Sequence, residues 1–195
     1  MKSSVISLAA AVAMAAAGTA TAHTAIYAGS LLGTSEVPVA TTTGHGTARI
    51  TFDLDLLTMR VEASFADLLG NVTASHIHCC TAPGSNVGVA TQLPTFVGFP
   101  LGGKSGTYDH TFDMSLASSY SAAFVTNNGG TVGSAFNALM LGLDTGKAYL
   151  NVHTTSFAGG EIRALLAPVP EPTTMALMLG GLAVLGWAAK RRPQA

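Results

Sequence analysis

Residues 46–56 read GTARITFDLDL and residues 59–65 read MRVEASF. In the first stretch Ala48, Ile50, Phe52, Leu54 and Leu56 fall at every second position, and in the second Met59, Val61, Ala63 and Phe65 do. Successive side chains of an extended chain point to opposite faces, so a period of two marks strands with one apolar face. Only Leu57-Thr58 separates the two runs, which predicts a β-hairpin.

The same pattern extends outward from this hairpin. An early strand is expected over Ala25–Leu32, another over Val72–His78 after a turn at Gly70-Asn71, and another over Gly106–Met114 with Tyr108, His110, Phe112 and Met114 on one face. Lys147–His153 and Glu161–Leu166 form a last pair joined through Gly159-Gly160. Between these, Leu116–Val125 and Val132–Leu143 suit short helices, separated by Asn127-Asn128-Gly129-Gly130. Repeated alternating strands with no helix between most of them predict a mainly β chain, an antiparallel Greek-key-like β-sandwich with a short helical excursion.

The two ends read differently. Lys2 precedes an apolar stretch, Val5 to Ala17, and Ala20 and Ala22 flank Thr21 in the small-x-small form that a signal peptidase cuts. Residues 1–22 are therefore expected to be a signal peptide, with the exported chain beginning at His23. At the other end Pro170-Glu171-Pro172 precedes an apolar run, residues 174–189, and then the basic cluster Lys190, Arg191 and Arg192. Its 16 or so residues make about 24 Å of helix, close to the thickness of a bilayer core. A transmembrane helix is expected over 174–189, stopped on the cytoplasmic side by the basic cluster. The precursor is thus expected in the inner membrane. Four of the nine basic residues belong to these ends, leaving five Lys and Arg against nine Asp and Glu in the middle. An acidic middle with no basic patch argues against nucleic acid as a partner.

Histidine carries the chemistry of the middle. His76-Ile77-His78 is an H-x-H on an expected strand, so both imidazoles point to one face. His153 ends another expected strand. If the two strands are neighbours, three imidazoles meet, a donor set suited to copper or zinc. His110, between Tyr108 and Phe112, reads as a core or edge histidine, and His45, between Gly44 and Gly46, as a turn residue. His23 is a separate case. At a new N-terminus its amine and ring together can bind copper, as in the histidine brace of copper oxygenases, if a second histidine is near. Cys79 and Cys80 are the only cysteines and follow the H-x-H directly. Export places them in an oxidising compartment, where they can form a vicinal disulfide; as thiols they could also be ligands. The Gly-rich segment 81–90 lacks the lysine of a phosphate-binding loop. No nucleophile stands at readable spacing from a base, and no catalytic residue is assigned.

Two resemblances follow from these residues. Pro170-Glu171-Pro172, the apolar run and the basic end resemble the PEP-CTERM sorting signal of bacterial exported proteins. The resemblance implies that an exosortase cuts the tail near the motif and delivers the protein to the cell surface or the extracellular medium. Ala74–His78, the Gly-rich loop after it, and residues 146–163, GKAYLNVHTTSFAGGEIR, resemble the CHRD domain first described in chordin. The organisation expected is a signal peptide over 1–22, a CHRD-like β domain over 23–167 and a sorting tail over 168–195. The implied role is binding or structural, at the surface or in a biofilm matrix, toward a protein or exopolysaccharide. His76, His78 and His153 also look like part of the copper site of Cu/Zn superoxide dismutase, which implies a copper-dependent redox enzyme as the alternative. No bridging histidine, zinc-site ligands or catalytic arginine can be placed beside that likeness. Arg163 is expected to pair with a carboxylate, Glu161 or another acid.

Overall fold

The computed structural model describes residues 23–170 and Leu182. The expected signal peptide with Ala20 and Ala22, the residues Glu171 and Pro172, the basic cluster and, Leu182 apart, the expected membrane helix lie outside the described residues. Among the described residues no helix is long and apolar enough to cross a membrane.

The strands run in chain order as β1 (Thr24–Leu32), β2 (His45–Asp53), β3 (Thr58–Ala66), β4 (Val72–Cys79) and β5 (Gly106–Asp113). The helices α1 (Ala122–Asn127) and α2 (Val132–Asp144) follow, then β6 (Ala148–Thr154), β7 (Ile162–Leu165) and β8 (Ala167–Pro168). Every pairing is antiparallel. The order across the sheet is β4-β6-β7-β1-β2-β3-β5, with β8 also on β1.

The hairpin forms as its alternation requires. Ile50 faces Val61 and Phe52 faces Met59 across β2 and β3, and all four are fully buried. The strand stops at Asp53, three residues short of the end of the apolar pattern, because the Asp53 carboxylate accepts hydrogen bonds from the amides of Asp55 (3.0 Å) and Leu56 (2.9 Å) and turns the chain. Leu54 and Leu56 are left exposed. His45 is the first residue of β2, paired with Leu32 and Ala66, rather than part of a turn.

The sandwich expectation is replaced by a single sheet curled into a half-barrel. Alternation fixes which face of a strand is apolar but not which strand lies beside it. Here β1 pairs along its whole length with β2 on one side and with β7 and β8 on the other, and so joins the two halves into one ladder. The inner face carries the core: Tyr27, Leu31, Ile50, Phe52, Val61, Ile77, Leu150, Val152, Ile162 and Ala164. Loop residues 87–102 lie along the free edge of β4, with Ala90 N–H donating to Ile77 O (2.9 Å) and Phe96 N–H to Ser75 O (3.0 Å). Tyr108 of β5 donates from its hydroxyl to Val97 O (2.9 Å), so this loop bridges the gap between β4 and β5.

The helical excursion also forms. A Thr131–Ser134 capping box opens α2 by satisfying amides that the first turn leaves free. Ala135, Leu139 and Leu143 are buried on its inner side, and Phe136 meets Phe52 edge-on at 5.9 Å. Tyr27 donates to the Asp144 carboxylate (2.6 Å), fastening the end of α2 to β1.

Candidate metal centre

β4 and β6 are neighbours, with His76 opposite Asn151, His78 opposite Tyr149 and Ala74 opposite His153. Residues paired across an antiparallel ladder share a face. His76, His78, Tyr149, Asn151 and His153 therefore stand together on the outer face, behind the apolar core face that carries Ile77, Leu150 and Val152. This outer face is covered rather than wet: His76, His78, Tyr149 and Asn151 are buried and His153 half-buried.

Each histidine offers one nitrogen to the group, and these atoms all lie within 4.8 Å of one another. The rings stand 5.0 Å (His76–His153), 5.6 Å (His76–His78) and 5.8 Å (His78–His153) apart between centroids. Backbone carbonyls fix the protons. His76 Nε2 is 2.6 Å from Pro94 O, His78 Nδ1 is 2.8 Å from Val87 O, and His153 Nδ1 is 2.9 Å from Ala158 O. A carbonyl only accepts, so each of these nitrogens carries the hydrogen and donates it. That leaves His76 Nδ1, His78 Nε2 and His153 Nε2 as lone-pair nitrogens, and all three are buried without a partner among the described residues. A ligating imidazole whose second nitrogen is held by a carbonyl is the usual outer-shell arrangement of a metal site.

Burial also keeps the rings neutral. Desolvation lowers the pKa of all three, with His78 brought down to about 4; the carbonyl hydrogen bonds oppose this only in part. Neutral imidazole is the form that binds metal.

An ionic and stacked layer lies beside the histidines. Tyr149 stacks on His78 with centroids 4.8 Å apart, and the Arg163 guanidinium sits 3.9 Å from the Tyr149 ring centre. Arg163 and Glu36 are both buried; Arg163 donates from Nε to Glu36 Oε2 (3.0 Å), and its Nη2 lies 2.9 Å from the same oxygen as an ion pair. Arg163 also donates to Ser85 O from Nη1 (3.3 Å) and to Asn86 Oδ1 from Nη2 (2.6 Å), so each of its three nitrogens has a partner. Asn151 donates to the same Glu36 oxygen at 3.3 Å. Burial pushes the Glu36 carboxyl up, against the pull of Arg163. Gly160 closes over this layer at φ +126°, where a side chain would collide with Asn151 and Glu36.

Arg163 thus pairs with Glu36, across the chain, and not with Glu161. Glu161 faces elsewhere. It accepts from Thr42 (2.6 Å), Thr154 (2.7 Å) and the amides of Leu69 (2.6 Å) and Gly70 (3.1 Å), tying three loops together. Burial opposes its ionisation, and these four donors overcome burial and hold its carboxyl below the ordinary value.

The remaining candidates separate from the centre. Cys79 projects to the core side of β4, away from the imidazoles, so neither cysteine joins the histidine group. The two sulfurs lie within bonding distance of each other, against Gly142 of α2. His110 is half-buried with its ring 4.7 Å from Phe112. His45 is exposed, with Nδ1 3.1 Å from Thr43 O. His23 is exposed and meets Asp55 rather than a second histidine. Sequence reasoning missed Glu36, Tyr149 and Asn151, and the carbonyls of Val87, Pro94 and Ala158. Tyr149 and Asn151 were within reach, since they alternate with His153 on β6; nothing near Glu36 in the sequence marks it.

A curled antiparallel sheet with a buried histidine cluster on its outer face, followed in the sequence by Pro170-Glu171-Pro172, defines a mainly β domain with a candidate metal centre. Residues 27–166 match the CHRD domain model, and on that match the chain belongs to the CHRD domain family. Residues 168–192 match the PEP-CTERM protein-sorting motif, which implies export, exosortase processing and sorting to the cell surface. Neither the curated proteins nor the solved structures gave a significant match.

Proposed function

We propose that this chain is a surface or extracellular-matrix protein with a binding or structural role, in which His76, His78 and His153 hold one copper or zinc ion. In this reading Cys79 and Cys80 form a vicinal disulfide under α2, and signal peptidase and then exosortase remove the two ends. The observation that carries the metal assignment is the set of three buried, unpartnered lone pairs, each on a ring whose other nitrogen is spent on a carbonyl. Leaving a buried acceptor unsatisfied costs about 1–3 kcal/mol, so three at one place favour an occupant that accepts their electrons. Zinc–nitrogen bonds of about 2.05 Å put tetrahedral ligands about 3.4 Å apart. Nitrogens within 4.8 Å of one another reach that spacing by small ring rotations. When bound, copper would supply one-electron chemistry and zinc a rigid crosslink between β4 and β6.

A binding role is favoured over turnover because the nearby cation is fully engaged. Each Arg163 nitrogen already has a partner in Glu36, Asn86 or Ser85, and the guanidinium is buried away from an incoming anionic substrate. The test is the metal content of the processed, exported protein, wild type against His76→Ala and His153→Ala. A single copper or zinc per chain, lost in either variant, supports the assignment; background metal in the wild type rejects it. Superoxide or peroxide turnover by the loaded protein would replace the binding role with the copper-redox one.

A further inference from the structure

His23 is left unused by the centre on β4 and β6, and its surroundings are specific. Its backbone nitrogen lies 3.2 Å from Asp55 Oδ2 and its ring Nδ1 lies 3.2 Å from Asp55 Oδ1. The backbone nitrogen and Nδ1 of one residue therefore converge on a single carboxylate. The carboxylate is held in place independently: Asp53 fixes the turn that carries Asp55 through the Asp55 and Leu56 amides. His23 is fixed as well, because its carbonyl accepts from Leu54 N–H at 2.9 Å and Thr24, the next residue, begins the ladder opposite Asp53.

We infer that cleavage after Ala22 converts this corner into a second metal site, in which the new α-amine, His23 Nδ1 and the Asp55 carboxylate bind divalent copper. The chemistry follows from the connectivity. An α-amine and the Nδ1 of the same histidine close a six-membered ring on a metal, and the carboxylate adds an oxygen and neutralises charge. Nitrogen and oxygen donors in such a set suit tetragonal Cu(II), which also binds most tightly among the divalent first-row ions. Before cleavage the nitrogen is an amide and has no lone pair to give, so the site exists only in the processed protein. The corner is open to solvent, with His23 79% and Asp55 56% exposed at the side chain, so the ion would keep water or an external ligand on its free positions. The inference rests on export with cleavage at this bond and does not depend on the three-histidine centre.

The experiment isolates the processed protein from the periplasm, identifies its first residue by intact mass and N-terminal sequencing, and titrates it with Cu(II) followed by electron paramagnetic resonance. Wild type and His76→Ala/His153→Ala are both titrated, so that signal from the strand histidines is removed in one of them. The expected result is a nitrogen-ligated Cu(II) signal that persists in the double variant. It should weaken at least tenfold in His23→Gln, and likewise when Ser-Gly-Ser-Gly is inserted between Ala22 and His23 to part the amine from the ring. Asp55→Asn should weaken it less. These positions are exposed, and unchanged melting curves would show that the fold is intact. A first residue other than His23, or an inserted variant that binds as tightly as its parent, overturns the inference. Loss of the signal in the double variant alone would also overturn it, by assigning the copper to the strand centre.

Discussion

Tyr149 and His78 lie face to face, with ring centroids 4.8 Å apart and planes within 5° of parallel. The Arg163 guanidinium also covers the Tyr149 ring, at 3.9 Å, and two groups that close must take opposite faces. The phenol ring is clamped between a cation and an imidazole. Its hydroxyl accepts from Val87 N–H at 3.2 Å, on the residue whose carbonyl orients His78. Tyr149→Phe keeps the stack and loses only the hydroxyl, which should cost about 1 kcal/mol. Tyr149→Ala empties a buried site and should cost about 3–5 kcal/mol. Urea midpoints at unchanged m-value measure both, and equal losses would show that the stack contributes nothing.

Acid should destabilise the metal-free domain in two stages. His78 is held neutral in the fold, with its pKa brought from 6.5 to about 4 chiefly by burial. Between those values the unfolded chain binds the proton and the fold does not, so stability is fully present above about pH 6.5 and falls as pH drops toward 4. Across that window the loss amounts to roughly 3 kcal/mol. Glu161, whose pKa the fold lowers, acts below this range: its contribution is present above the ordinary carboxylate value and is lost as pH falls through the lowered one. Unfolding free energy measured from pH 8 to 3 in chelator should slope across pH 4–6.5. In His78→Gln that slope should shrink, and an unchanged slope would place the titration elsewhere.

Arg163 and Glu36 form a buried pair between residues 127 apart in sequence. Removing one partner leaves the other charge buried alone, which costs about 3–5 kcal/mol. Glu36→Gln and Arg163→Met should each fall in that range. The double variant should be more stable than the sum of the two losses implies, since no charge is stranded. Additive losses in the double-mutant cycle would mean that the two residues stabilise the fold separately.

Much of this was legible because alternation is local. Met59, Val61, Ala63 and Phe65 mark a strand and its inner face without reference to anything else, and the inner positions of β2, β3 and β5 follow in the same way. His76 and His78 share a face for the same reason, and placing β6 beside β4 brings His153 to them. What stayed hidden depends on distant parts of the chain. That β1 would pair on both edges, making one sheet instead of two, is set by where β7 and β8 return. Glu36 reaches Arg163 only because the loop after β1 folds back over the outer face. The lone pairs left on the imidazoles depend on carbonyls at residues 87, 94 and 158, and backbone acceptors leave no trace in residue identity.

Two glycines of α2 should respond oppositely to the same change. Gly to Ala in a helix normally stabilises by up to about 1 kcal/mol, because glycine loses more backbone freedom on folding. Gly133, in the first turn, has open space where a Cβ would stand, so Gly133→Ala should gain stability. Gly142 is packed against the Cys79 and Cys80 sulfurs, and a Cβ there would overlap both. These sulfurs sit at the end of β4 directly after His78, and the strand cannot retreat without moving that histidine. Overpacking costs about 1–3 kcal/mol, which exceeds the propensity gain, so Gly142→Ala should be destabilising overall. If the displaced strand carries His78 with it, Gly142→Ala should also weaken metal retention while Gly133→Ala leaves it unchanged. Thermal melts with and without zinc test both statements, and a stabilised Gly142→Ala protein would show that α2 can shift away from the cysteines at little cost.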